Sequence, residues 1–229
     1  MYADGVGLED GVYLLYDAAG MNWFANQVNV SKNAFSGKTV KLAADIDLAN
    51  VAWTPVGQTG ATQFLGTFDG QNHMITNLAI DATAQTGANY SSGLFGWLNA
   101  AVVKNVKIDG ATVKGNHNVG VIAGYLETSG CTVENCHISK AVVECHVAND
   151  DANGDKCGVL VGHAGNAGVA VKNCTATDSA VSAGRDAGQI VGAAKAENVT
   201  ECSATNVTVT ANGEGTGANI RNEVIGRIL

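Results

Sequence analysis

The sequence predicts an all-β fold, a right-handed parallel β-helix of about six coils with a short N-terminal helical cap, and three observations predict it. A glycine-anchored phrase recurs as GLFGWL from 93, GVIAGYL from 120, GVLVGHA from 158 and GQIVGAA from 188. A second phrase follows it at a nearly constant offset: ITNLAI from 75, VKNVKI from 103, VENCHI from 133, VKNCTA from 171 and VTECSA from 199. The composition is a strand-and-turn vocabulary, with 29 Gly, a single Pro and only 15% charged residues. Periodicity of this length announces a solenoid, in which one unit cannot bury its apolar face until the next stacks on it.

The first element is the cap. Asp17 is the N-cap candidate, and AAGMNWFANQV then places Ala18, Met21, Phe24, Ala25 and Val28 on one helical face. Such a helix covers the unpaired strand edges that the end of a solenoid would otherwise expose. We divide the single domain into a cap over 1–35, leader coils over 36–92 and repeats over 93–229. In the coils, Gly66, Gly96, Gly124, Gly162, Gly192 and Gly226 align, each preceded by an apolar pair that reads as a short strand ending in a turn. These glycines are expected to supply tight or positive-φ bends.

The second phrase alternates with period two. Its expected inward columns are Ile75, Val103, Val133, Val171 and Val199, then Leu78, Val106, Cys136, Cys174 and Cys202, then Ile80, Ile108, Ile138, Ala176 and Ala204. Asn77, Asn105, Asn135 and Asn173 form the expected corner amide ladder, which Glu201 breaks. A third segment, ATV from 111, AVV from 141, SAV from 179 and VTV from 207, completes three strands per period. No room remains for a crossover helix, so the parallel return must be one turn of winding. The tail NEVIGRIL repeats the strand phrase with no visible cap, so either further segments of a larger protein follow, the preferred expectation, or a partner covers it.

SSGLFGWL, VGVIAGYL, CGVLVGHA and AGQIVGAA resemble the GLUG motif of bacterial secreted and surface proteins, found near immunoglobulin-A-specific metallopeptidases. VKLAADIDLANVAWTPVG, FLGTFDGQNHMITNL and YLLYDAAGMNWFANQV are similar to the leader and opening helix that accompany those repeats, so the resemblance covers nearly the whole chain. It implies a β-helix and surface display or adhesion. It implies no catalytic set: a metallopeptidase needs HExxH, and His73, His117, His137, His146 and His163 have no Glu at the required position.

The formal charge of −8 and the lack of any Lys/Arg cluster argue against a nucleic-acid or anionic-membrane partner. No apolar run approaches the ~20 residues of a membrane span. MYADGVGLED carries no basic region leading into an apolar stretch, so an exported protein would have lost its signal peptide before this point. The expectation is a noncatalytic extracellular or cell-surface module, an adhesin-like binder of a glycan or surface protein, or a rigid spacer. The alternative is a carbohydrate-active enzyme, a polysaccharide lyase or hydrolase, whose stacked carboxylates the outward columns do not supply. Asp45, Asp47 and Asp69 are the close acidic group and read as structural.

Trp97, Tyr125 and His163 follow the repeat glycine on three consecutive coils. Facing outward they form a partner-binding strip that stacks on sugar rings or protein; facing a corner they pack beneath loops. The residues beside them, Phe95, Ala123, Val161, Val191 and Ile225, are apolar where alternation calls for water. No cofactor is expected. Asp151, Asn153 and Asp155 have the 1-3-5 spacing of a calcium loop, but Lys156 stands where that loop has Gly and Gly162 where it has Glu, so a plain solvated loop is the favoured reading. Cys136, Cys174 and Cys202 read as small reduced core groups, whereas Cys145 and Cys157 bracket an insertion and are either bridged or free.

Overall fold

In a computed structural model, which describes residues 3–49, 51–85, 90–146, 155–212 and 219–229, the chain is a parallel β-solenoid of about seven turns with one short helix at its N-terminal end. Its strands span two to four residues each, because turn-forming residues interrupt every apolar run before it can lengthen. The first sheet stacks Val12–Leu15, Thr39–Leu42, Thr67–Asp69, Val102–Lys104, Thr132–Glu134, Ala170–Lys172 and Val199–Thr200, with Val6–Glu9 added at its edge as an antiparallel hairpin. The Val12–Leu15 strand supplies the turn beyond the six that the glycines mark.

Each full coil passes through five sheets, where the phrases predict three strands. The second sheet holds Ile46–Asp47, Met74–Thr76, Lys107–Asp109, His137–Ser139, Thr175–Thr177 and Ser203–Thr205, and the third holds Ala79–Asp81, Thr112–Gly115, Val142–Cys145, Ala180–Ala183 and Thr208–Ala211. The GLUG-like phrase contributes two further strands. A fourth sheet runs through Ser91–Ser92, Asn118–Val119, Lys156–Gly158, Asp186–Gly188 and Asn219–Ile220. A fifth runs through Phe95–Leu98, Ala123–Leu126, Val161–Ala164, Val191–Ala194 and Ile225–Ile228.

From residue 102 onward the inward columns are as expected: Val103 pairs with Val133, Val133 with Val171, and Val171 with Val199. Val106, Cys136 and Cys174 are 0% exposed and Cys202 is half-buried on the terminal coil. The leader is displaced by one strand. Ile75 stacks on Ile108, Ile80 on Val113, and Phe68 takes the place beneath Val103. The longer bend over 70–73 carries the chain to the second sheet before ITNLAI begins, so the same letters sit one side further round.

Asn77 is consequently absent from the amide ladder and donates instead to Asp47 at 2.8 Å. The ladder begins at Asp69, which accepts from Asn105 at 2.9 Å; Asn135 donates to Asn105 at 3.0 Å and Asn173 to Asn135. Asn105, Asn135, Asn173 and Glu201 have φ of 55°, 55°, 51° and 55°. Asparagine belongs there because it tolerates the left-handed conformation and can hydrogen-bond its own kind one coil away.

The repeat glycines do not make bends. Gly96, Gly124, Gly162, Gly192 and Gly226 lie inside the fifth-sheet strands and have no positive φ. Their role is close approach: a Cβ on Gly162 would stand 2.4 Å from the Val119 nitrogen, and one on Gly192 2.3 Å from the Cys157 nitrogen. The fourth and fifth sheets meet at a corner too narrow for any side chain. Gly66 lies outside this column: Val56 pairs with Phe95, which puts Gly57 beside Gly96, while Phe64 bridges to Leu98. Phe95, Ala123, Val161 and Val191 are 0% exposed and Ile225 is half-buried, so at this corner consecutive residues face inward.

Helix α1 (Ala18–Asn29) starts at Asp17, whose carboxylate accepts the Gly20 amide at 2.9 Å. Met21, Phe24, Ala25 and Val28 are buried as expected, and Ala18 packs at the core's margin. Phe24 reaches Phe35, Phe64, Phe68 and Phe95 at centroid distances of 5.1 to 6.2 Å, plugging the solenoid's end with rings.

Candidate functional site

On the outer side of the fifth sheet, Trp97 pairs in register with Tyr125 and Tyr125 with His163; Ala193 and Arg227 continue the column. Stacking places the Trp97 and Tyr125 rings edge to face at 4.6 Å, and Tyr125 and His163 face to face at 4.9 Å with 12° between planes. Trp97 is 9% exposed, with Gly60 of the preceding coil against its ring. Tyr125 and His163 are half-buried, and the Tyr125 hydroxyl accepts from Asn166 at 2.9 Å. Burial, with Lys156 and Arg227 nearby, pushes the His163 imidazole down to about 4. Its Nε2 has no hydrogen-bond partner among the described residues.

Beside this strip, the fourth sheet presents a polar column: Ser91, Asn118, Lys156, Asp186 and Asn219, neighbours in register. Alternation assigns such residues to solvent, yet Ser91, Asn118, Lys156 and Asp186 are buried, because the two sheets fold towards each other at the narrow corner. Arg227 reaches across from the fifth sheet to Asp186 at 3.4 Å, and Asn219 donates to the other Asp186 oxygen at 2.6 Å. Asp155, 1% exposed, accepts the Arg185 amide at 2.8 Å. Burial raises its carboxyl to about 6 and lowers the Lys156 ammonium below its ordinary value. The result is a charged knot beneath the ring strip, held by paired charges and hydrogen bonds.

This knot is what sequence reading missed. Its signal is the first letter in SSG, NVG, KCG and DAG, a polar residue two places before each phrase-opening glycine. The remaining sites separate. Asp45 accepts from His73 at 3.0 Å and from the Met74 amide at 2.9 Å, Asp47 from Asn77 and the Ala49 amide, and Asp69 from Asn105 and the Gln71 amide, so each carboxylate ties a corner. Of the calcium candidates, Asp151 and Asn153 lie outside the described residues, and Asp155 turns its carboxylate onto the backbone. No group of three or more His, Cys, Asp or Glu side chains is placed to hold a metal among the described residues. Among those residues no helix is long and apolar enough to cross a membrane.

No family model matches the chain. Over 143 residues, 57% of its length, it is 32% identical to halomucin of Haloquadratum walsbyi, and the match spans 1% of that protein. A crystal structure of a candidate immunoglobulin A1 protease from Bacteroides ovatus superposes with a TM-score of 0.57, over 97% of this chain and 84% of that one, at 18% identity. That likeness is one of fold, and it covers both the helical cap and the coils.

Proposed function

We propose that the chain is a noncatalytic, exported module of the GLUG-repeat type that engages a glycan through the Trp97–Tyr125–His163 strip. The observation that carries this reading is the registered ring column, whose half-buried Tyr125 and His163 lie one above the other on successive coils of a rigid rod. Tyr125 and His163 cover each other's facing surfaces, so the strip meets a sugar chain with their exposed edges and with the His163 side turned to Ala193, and the fixed scaffold keeps ordering costs low. Likeness to halomucin and to a candidate immunoglobulin A1 protease is in keeping with work outside the cell.

The test is a glycan array probed with the intact protein and with Tyr125→Ala and His163→Ala, each confirmed folded by circular dichroism. The reading predicts a wild-type signal reduced about fivefold in each variant, the loss of roughly 1 kcal/mol of ring contact. Silence of the wild type overturns it and leaves a protein partner or a spacer. The second reading, a carbohydrate-active enzyme, requires Asp155 and Asp186, now 1% and 0% exposed and held by the Arg185 amide, Asn219 and Arg227, to reach a sugar chain. Chain cleavage of an array-positive polysaccharide that Asp155→Asn abolishes would favour it.

A further inference from the structure

We propose that Cys145 and Cys157 form an intramolecular disulfide when the chain folds under oxidising conditions, a staple across the corner between the third and fourth sheets. Cys145 ends the strand Val142–Cys145 and Cys157 lies in Lys156–Gly158; both are free thiols here and 0% exposed. Cys145 Sγ donates to the His117 carbonyl at 3.4 Å and Cys157 Sγ to the Ser182 carbonyl at 3.8 Å, and the neighbouring Cys157 thiol helps to raise the Cys145 thiol.

The corner itself makes the side chains converge. One coil earlier the same register positions are Gly115 and Val119, and a Cβ on Gly115 would stand 3.1 Å from Val119 Cγ2. One coil later they are Ala183 and Ala187. Convergent Cβ atoms are what a disulfide requires. Cys136, Cys174 and Cys202 differ, because they hold one and the same corner position on successive coils, between the first and second sheets, and so project in parallel; Cys174 Sγ accepts the Cys136 amide at 3.4 Å and donates to the Lys172 carbonyl at 3.2 Å. Cysteines stand at both convergent positions only on the coil whose third and fourth sheets are joined by the long insertion over 146–156, where a cross-link restricts the unfolded chain across a loop that packing leaves long.

Burial pushes the Cys145 thiol well above its ordinary range, so the folded thiols are poor nucleophiles and the bond forms during folding. One cysteine thiolate attacks a small-molecule disulfide such as glutathione disulfide and displaces one glutathione thiolate. The other cysteine thiolate then attacks the mixed disulfide and releases the second. Two electrons pass to glutathione, and the two cysteine protons end on its two thiols.

The full-length chain is unfolded, reduced, refolded with glutathione disulfide, then denatured and alkylated without reductant before trypsin digestion. The expected product is the peptide Ala141–Lys156 joined to Cys157–Lys172, lighter than the sum of the two by two hydrogen atoms and separated by reductant. Recovery of both peptides singly alkylated, or either cysteine joined elsewhere, overturns the proposal. Because the oxidant is supplied, the result is independent of where the protein resides and of whether it binds a glycan.

Discussion

At the scale of single residues, position on the winding decides what each side chain does. Asn105, Asn135 and Asn173 are chosen by a backbone conformation and by one another, and Asp69 starts their chain of donors because only an acceptor can stand at its head. His163 is decided by burial. Its folded value of about 4 lies below the ordinary 6.5, so as pH falls from about 6.5 towards 4 the unfolded chain takes up a proton that the folded one refuses. Stability from this group is therefore present above about pH 6.5 and declines on acidification to about 4. In urea melts across that range, His163→Phe, which keeps a ring beside Tyr125, should lose less stability than wild type. Parallel pH profiles for the two proteins would contradict the assignment.

At the scale of elements, the repeats are legible from residue 102 onward, where the bend between the first and second sheets keeps one length, even across the insertion after Cys145. The columns through Val103, Val133 and Val171 could be read because apolar letters recur at equal offsets and the pleat does the rest. ITNLAI reads one strand early because its letters match VKNVKI, while the bend before it, which sets where winding resumes, leaves no periodic trace. The polar column through Asn118, Lys156 and Asp186 escaped for another reason: alternation reports which face of its own strand a residue takes, not whether a neighbouring sheet closes over that face. The glycines show the same limit, since a bend and a close approach are written with one letter. Close approach makes its own forecast. Gly162→Ala, with a Cβ 2.4 Å from the Val119 nitrogen, should cost about 3 kcal/mol of unfolding free energy. Gly37→Ala, at φ 67° in open space, should cost about 1 kcal/mol. Equal losses in denaturant titrations would mean that the fourth and fifth sheets are not in contact at the repeat glycine.

At the scale of the whole molecule, stability and shape come from one device, the superposition of equivalent residues coil upon coil. It aligns the buried valines and cysteines, carries the Asn ladder along one edge and stacks Tyr125 on His163. The Phe24 plug closes one end of that stack. Backbone amide NOE spectroscopy tests the superposition most directly, since parallel strands ~4.8 Å apart place amide and α protons of register partners within reach of one another. The account predicts inter-strand cross-peaks linking Lys107 with His137, His137 with Thr175, and Thr175 with Ser203. If those contacts are missing and the same residues instead show the close α-proton pairs of antiparallel hairpins, the winding described here is wrong.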